Sequence, residues 1–561
     1  VISKDNTLRI KTAGRQPFLA NANIGVEGPV QVRLRIHTAK NGEGRLQWRT
    51  KDQEGFPETG QRKSFLINGG EWRELAVPLN VKGQLLHLRL VLPAQEEPID
   101  MDWIEIRSAD EKVKATKRWD FNTSAPSPSV KLTKQPNVIL ILADDLGYGE
   151  LGCYGAPNAR TPHMDSLAAQ GVRCTDGYAA FPVCSPSRAA ILTGRYPARF
   201  GPTYEDYYGG GAPELDPIKH PTIAQMMKDA GYRTGCFGKW NVSNLNRRPA
   251  NDFGFDRWVG LHLNHDFYTH KVVRTGELDM YENGKKLKRA GIWSDTIFTN
   301  EAISFIKAES KKPFFIYLPF QAPHTPIQDP DVPMDKPQEK NRQTLIKMIE
   351  RLDHEIGRIL QTLNDKKLAD NTLVILTSDN GGEQKIARNL PLNGAKQMLF
   401  EGGIRVPYIL SWPSVLPAGI SYTIPVNAYD ITATIAAVGG VKAPKDKAFD
   451  GFDLVPVLIG KDKLSYDRPQ FFRRRNVRVR DNQNQIRQSA VRQGDWKYLR
   501  SYKPLGSDKY QSSLFNLKDD LGETKNLATE NPAKVEALSL LLDQWEQEMA
   551  ETADPFPKSK N

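Results

Sequence analysis

The sequence predicts an α/β protein: a mostly parallel sheet flanked by helices, preceded by an antiparallel β-sandwich and followed by a smaller α+β subdomain. Three changes of texture predict it. Residues 1–111 alternate apolar and polar positions between Gly- and Asn-rich turns. Residues 135–445 replace alternation with unbroken apolar runs separated by helical patterns. Residues 446–561 return to short strand-like pieces and close on an amphipathic helix. Residues 112–134, ending in Ser-, Pro- and Lys-rich sequence, read as a linker.

In the first segment, Val30 to Ile36 and Leu86 to Leu90 have period two, as do Met101, Trp103 and Ile104 to Ile106. Such strands are buried on one face and wet on the other. In the second, Val138 to Ala143, Phe314 to Leu318 and Leu373 to Leu376 are apolar on consecutive positions, as strands covered on both faces must be. Between them Thr222 to Ala230, Thr296 to Ile306 and Asn341 to Leu363 have helical spacing. In the last, Ser489 to Arg492 and Trp496 to Leu499 read as strands, and Pro532 to Met549 as the closing helix. Ligands of doubly covered sheets bind beyond the carboxyl ends of the strands, so the residues just past each apolar run matter most.

At 561 residues the chain exceeds a single core, which stops growing near ~250–300 residues. A 39% apolar and 25% charged composition excludes disorder and collagen. No run approaches the roughly 20 apolar residues of a membrane span. Lys and Arg outnumber Asp and Glu by 77 to 66, a net charge of +11 that favours a polyanionic partner. No recognition motif accompanies it, so nucleic acid is not expected. Four cysteines without CxxC spacing make no disulfide framework. The first residue is Val1, not Met, consistent with a removed targeting peptide and a periplasmic or secreted protein.

Asp144 and Asp145 come directly after the first buried strand, and Asp379 and Asn380 after a later one. Hard oxygens at two strand ends suit one Ca²⁺, or Mg²⁺ in its place. Either pair alone is equally consistent with turns and helix caps. The sharpest feature is Cys184-Ser185-Pro186-Ser187-Arg188, since a chance C-x-P-x-R is expected far less than once in this composition. Ala189 to Thr193 continue as a short helix ending at Gly194, which puts Cys184 at a helix N-terminus that favours an anion.

These residues resemble the type I sulfatases of the alkaline-phosphatase-like superfamily. Cys184 to Arg188 with Leu192-Thr193-Gly194-Arg195 matches the family's first signature, and Gly231 to Trp240 its second. Ala143 to Gly149, Ala322 to Pro326, Lys396 to Pro407 and Leu514 to Leu527 are similar in the same order, covering about 70% of the chain.

The resemblance implies an alkaline-phosphatase-like fold and hydrolysis of sulfate monoesters on a sulfated carbohydrate. Cys184 would be converted to formylglycine by a formylglycine-generating or anaerobic sulfatase-maturing enzyme. One hydroxyl of the hydrated aldehyde would attack sulfur, and loss of a proton from the other would expel sulfate. Asp144, Asp145, Asp379 and Asn380, with the modified Cys184, would hold the cation. Arg188 would orient the diol. Lys239, His324 and Lys396 would bind sulfate, with His324 as proton donor to the leaving oxygen.

One position departs from the family, which reads Gly-Lys-Trp-His where this chain has Gly238-Lys239-Trp240-Asn241. Asn241 can bond the substrate site but cannot take a proton. Two rivals stay open: a phosphonate monoester or phosphodiester hydrolase of the same superfamily, and a catalytically silent glycan-binding protein. Outside the shared motifs, Arg473-Arg474-Arg475 with Arg478 and Arg480 would form a basic rim for a polyanion. Tyr204 to Gly211 and the histidines His262, His265 and His270 would wall the substrate site. In the sandwich, Trp103 reads as core and Trp48 as either core or a sugar-stacking face, so the module is structural or glycan-orienting.

Overall fold

The computed structural model describes residues 8–10, 18–21, 24–53, 57, 60–109, 116–120, 135–205, 215–243, 247–332, 339–474, 487–502 and 508–553. The chain divides into two units, residues 1–129 and 130–561.

In the first unit, alternation in the sequence becomes alternation in space. Val30–His37 buries every second residue, and Val32, Leu34 and Ile36 enter the core while Arg33 and Arg35 face outward. Two antiparallel five-stranded sheets share that core. Trp48 and Trp103 are both buried, whereas Trp72 is exposed with the Arg35 guanidinium 5.2 Å from its ring. Part of the expected linker is strand: Thr116–Asp120 pairs antiparallel with Ile99–Ser108 and extends one sheet. Backbone pairing to an existing edge overrode a composition that reads as loop. Residues 121–134 lie outside the described residues.

The second unit is built on a ten-stranded mixed sheet. Five neighbouring strands at its centre are parallel: Arg257–Leu261, Arg233–Lys239, Phe314–Pro319, Asn137–Ala143 and Thr372–Ser378. Antiparallel strands flank them, including Tyr408–Ser411 and Tyr281–Glu282. In Asn137–Ala143, Val138, Leu140 and Leu142 enter one apolar cluster while Ile139, Ile141 and Ala143 enter the opposite one. That is why the strand is apolar at every position after Asn137. The long helix Arg342–Asp365 starts at Asn341, whose side chain accepts from Thr344 N, and buries one face against the second cluster.

A four-stranded antiparallel sheet, Gln470–Arg474, Arg487–Gln493, Trp496–Tyr502 and Tyr510–Asn516, belongs to the same unit. One face packs on the helix Pro532–Thr552 through Phe471, Val491, Leu542 and Trp545. The other face meets Leu399 and Ile404 through Phe472, Leu499 and Phe515. Among the described residues no helix is long and apolar enough to cross a membrane.

Candidate active site

The parallel strands deliver their carboxyl ends to one place. Asn137–Ala143 leads into Asp144 and Asp145, and Thr372–Ser378 into Asp379 and Asn380. Arg233–Lys239 ends on Lys239, and Phe314–Pro319 leads to His324. Main-chain bonds lock these ends together: Asp379 N donates to the Ala143 carbonyl and Asp144 N to the Ala322 carbonyl, each at 3.2 Å. Gly238, with φ +133°, lets the Lys239 strand pass its neighbour, since a Cβ there would lie 2.0 Å from the Pro319 carbonyl oxygen.

Cys184 opens the helix Cys184–Thr193, which stops at Gly194 in the left-handed region. Its Sγ lies 3.3 Å from Asp144 Oδ1 and 3.9 Å from Asp145 Oδ1. Arg188, one turn on, is wholly buried and bonds Asp379 Oδ2 through Nε at 2.8 Å. A second guanidinium nitrogen donates to the Lys239 carbonyl at 2.9 Å. Lys239 Nζ stands 2.5 Å from Asp144 Oδ2, and Lys396 Nζ 2.6 Å from Asp145 Oδ2. Three buried carboxylates thus face three buried cations around one sulfur.

This field sets the protonation states. Burial pushes the Cys184 thiol well above its usual range and Asp144 adds to it, so the residue is a neutral thiol. Burial also raises Asp379 to about 7, reinforced by Asp144. Asp144 goes the other way: Lys239, His324 and Arg188 overcome its desolvation and hold it below the ordinary carboxylate range. Burial, then Lys396, lowers His324 to about 4. The hydrogen bonds agree with a neutral ring. His324 Nε2 accepts from Lys396 Nζ at 3.0 Å and from Asn264 Nδ2 at 2.8 Å, and Nδ1 donates to the Thr325 carbonyl at 2.6 Å.

The donor set suits a hard divalent cation. Asp144, Asp145, Cys184 and His324 bring ligand atoms within 4.8 Å of one another. Asn380 Oδ1 is buried without a hydrogen-bond donor among the described residues, while its Nδ2 donates to Asp145 Oδ1 at 2.7 Å. A buried amide oxygen with no donor is costly unless a cation takes it. Asp145 itself has φ +66°, an unusual backbone state for a non-glycine residue that aims its carboxylate at the sulfur.

Other expected residues fall elsewhere. Asn241 is buried with φ +55°; its Nδ2 donates to the His262 carbonyl at 3.2 Å, and its own carbonyl accepts from Ser185 Oγ at 2.7 Å. It braces the start of the Cys184 helix, with one of its two amide N–H donors given to main chain. Arg473 is not on an exposed rim. It is buried in a strand and doubly bonded to Glu205, at 2.9 and 2.8 Å, because an inward strand position forces a charged side chain to find a partner. Arg475, Arg478 and Arg480, and residues 206–211 of the aromatic stretch, lie outside the described residues.

The histidines are core as well. His265 is fully buried, with Nδ1 on the Asp279 carbonyl at 2.9 Å, and desolvation lowers it to about 3. His262 packs edge-on against the stacked rings of Trp258 and Tyr281, each 5.0 Å away, and His270 bonds the Ile292 carbonyl. None of the three walls an open subsite. Two residues outside the expected set do reach the mouth: Asn264, on His324, and Glu383, whose Oε2 is 3.9 Å from Lys396 Nζ. Glu383 stands three residues past Asn380, where a charged side chain just beyond a ligand loop was the available signal.

This sheet, with aspartates at its strand ends paired to buried lysines, is that of the alkaline-phosphatase-like hydrolases. Residues 136–441 match the Sulfatase family, and residues 394–551 match the family described as N-sulphoglucosamine sulphohydrolase, C-terminal. The chain belongs to the sulfatase family and is a sulfuric ester hydrolase. It is 34% identical over 383 residues to an N-acetylgalactosamine-6-sulfatase of Sus scrofa, covering 63% of this chain and 70% of the relative. To an N-acetylgalactosamine-6-O-sulfatase of Bacteroides thetaiotaomicron it is 31% identical over 499 residues, covering 73% and 93%. The crystal structure of Ps i-CgsB in complex with k-i-k-neocarrahexaose superposes with a TM-score of 0.65 at 30% identity, covering 74% of this chain and 93% of that one.

Proposed function

We propose that the protein removes sulfate from monoesters on a sulfated carbohydrate, using residue 184 as formylglycine and a bound Ca²⁺. The observation that carries this reading is the Cys184 sulfur, 3.3 Å from Asp144 Oδ1 at a helix N-terminus, between two buried lysine–aspartate pairs. A thiol kept neutral by burial is a poor nucleophile, which fits a side chain meant for conversion by a maturing enzyme. As a hydrated aldehyde, residue 184 supplies one hydroxyl to attack and another whose proton loss frees sulfate. The cation, when held by Asp144, Asp145, Asp379 and Asn380, supplies positive charge that favours the deprotonated nucleophile and the sulfate oxygens.

The chain's own groups do the rest. Arg188 fixes Asp379 and the Lys239 carbonyl, so the ligand loop and the anion-binding strand end move as one. Lys239 and Lys396 present ammonium groups to the ester's sulfate. His324 Nε2 accepts from Lys396 Nζ, so the pair keeps a proton available to the departing sugar oxygen. With three carboxylates balanced by three cations, a divalent ion leaves the centre net positive, as an anionic ester requires.

The carbohydrate substrate is supported by relatives whose names specify an N-acetylgalactosamine sulfate and by a structural neighbour bound to a neocarrahexaose. A polymeric substrate goes with a periplasmic or secreted protein, and cell fractionation tests that part. In the first unit, the exposed Trp72 over Arg35 offers a stacking face for a glycan-orienting role. The test of the whole reading is sulfate release from sulfated oligosaccharides by protein co-produced with its maturing enzyme, with Cys184→Ala as control. Peptide mass spectrometry reads residue 184 in the same preparation. An unmodified thiol in active protein, or faster turnover of an aryl phosphodiester than of an aryl sulfate, would reject it.

A further inference from the structure

Every carboxylate at the centre of the site is already engaged: Asp144 by Lys239, Asp145 by Lys396 and Asp379 by Arg188. Glu383 differs. Its side chain is 41% exposed, its Oε2 stands 3.9 Å from Lys396 Nζ, and its carboxylate takes no hydrogen bond among the described residues. Lys396 Nζ also bonds His324 Nε2, and to the same ring nitrogen Asn264 gives one amide N–H, while its buried Oδ1 has no donor among the described residues. An anionic acceptor therefore borders the Lys396 ammonium group, and a neutral one stands beside its hydrogen-bond partner His324.

Neither acceptor can bind sulfate, which offers only oxygen lone pairs. A carboxylate beside a sulfate site is repelled by the ester unless a neutral donor stands between them. Sugar hydroxyls and amide N–H groups next to the esterified carbon are such donors. A second sulfate or a uronate carboxylate in that place would meet Glu383 charge against charge, the repulsive element on which discrimination rests.

We propose that Asn264 and Glu383 form a sugar subsite that accepts hydrogen bonds from hydroxyl or amide N–H groups neighbouring the sulfate ester and turns away a second anion. The subsite rests on the reading that the enzyme acts on sulfated carbohydrate. The substrate class is then a residue carrying a single sulfate with free donors beside it.

The test is calorimetric binding to the full, Ca²⁺-loaded chain carrying Cys184→Ala, so that no turnover intervenes. The probes are N-acetylgalactosamine 6-sulfate and N-acetylgalactosamine 4,6-disulfate. The monosulfate is expected to bind at least about tenfold more tightly. Adding Glu383→Gln is expected to bring the two sugars within about threefold of each other, because the amide keeps an acceptor and drops the charge. Asn264→Ala is expected to weaken the monosulfate about fivefold, the cost of one hydrogen bond. Equal binding of the two sugars, binding of neither, or a preference that survives Glu383→Gln overturns the subsite. Aryl sulfate hydrolysis by the matured enzyme is measured separately. Turnover without the sugar preference sinks the subsite alone, and sugar preference without any turnover sinks the sulfatase reading alone.

Discussion

Arg188 and Asp379 form an ion pair at 2.7 Å with neither side chain reaching solvent. Removing one member of such a pair strands the other charge in the interior, which costs more than the pair itself gains. Arg188→Ala is expected to lower unfolding free energy in the cation-free protein by about 3–5 kcal/mol. Lysine cannot reproduce the fork that reaches both Asp379 and the Lys239 carbonyl, so Arg188→Lys recovers only a small part. Urea denaturation monitored by tryptophan fluorescence decides; equal midpoints for native protein and Arg188→Ala would show that the pair is energetically idle.

If the carboxylates around Cys184 hold the proposed cation, its binding and folding form one equilibrium. Ca²⁺ at 100 times its Kd is expected to add about 2.7 kcal/mol to stability, so chelation lowers Tm and stops sulfate release, and added Ca²⁺ restores both. Asp145→Asn alters a proposed ligand whose Oδ1 faces the sulfur and whose Oδ2 anchors Lys396. In that variant Tm should no longer respond to Ca²⁺. A native-sized Ca²⁺ response in Asp145→Asn places the ion elsewhere.

Much of this site was legible because sheet burial leaves a simple trace. Asn137–Ala143 is buried on both faces, so Asp144 and Asp145 had to stand at a strand end, and the same logic gave Asp379 and Asn380. Cys184 was marked by its neighbours and its helix. What misled were side chains whose meaning depends on a partner far along the chain. Arg473 reads as part of a basic surface run until Glu205, 268 residues away, is placed beside it. His262 and His265 look like substrate-site walls until the loop after Arg257–Leu261 folds them into the aromatic and main-chain interior. Asn264, between them, is the residue of that stretch that reaches His324, and local sequence carries no sign of which way each side chain points.

The C-terminal sheet reaches the site through a buried charge cluster. Lys497 Nζ lies 2.9 Å from Glu401 Oε1 and 2.8 Å from Glu523 Oε1, all three side chains without solvent exposure. Glu523 Oε2 also accepts from Glu401 N at 2.6 Å, and Gln488 Oε1 from Leu399 N at 2.9 Å. The segment carrying Lys396 is thereby tied to this sheet. Lys497→Met fills the space but leaves buried Glu523 without its cation, while Glu401 keeps Arg405 and Tyr178, with an expected loss of about 3–5 kcal/mol. The double variant Lys497→Met, Glu523→Gln should regain part of it, since one stranded charge is gone. A double variant no more stable than the single one would assign the loss to packing instead of charge.

The buried histidines give the fold a pH dependence whose sign can be worked out. Desolvation first, then Arg247 and Lys286, lowers His262 to about 3, and its two ring nitrogens have no hydrogen-bond partner among the described residues. Unfolded, the same ring titrates near its ordinary 6.5. Between those values the unfolded chain binds a proton that the folded chain refuses, so stability is full above about pH 6.5 and falls as pH drops toward 3. His265, lowered to about 3 by burial and then by His270, adds to the same window. Each ring contributes a slope of up to about 1.4 kcal/mol per pH unit. His262→Phe keeps an aromatic ring against Trp258 and Tyr281 and has nothing to protonate. Its stability should therefore match the native protein's near pH 7.5 and exceed it at pH 5, with the slope between them reduced by one proton. Denaturation midpoints at the two pH values check this, and an unchanged slope in His262→Phe would mean that His262 is charged or solvated in the folded chain.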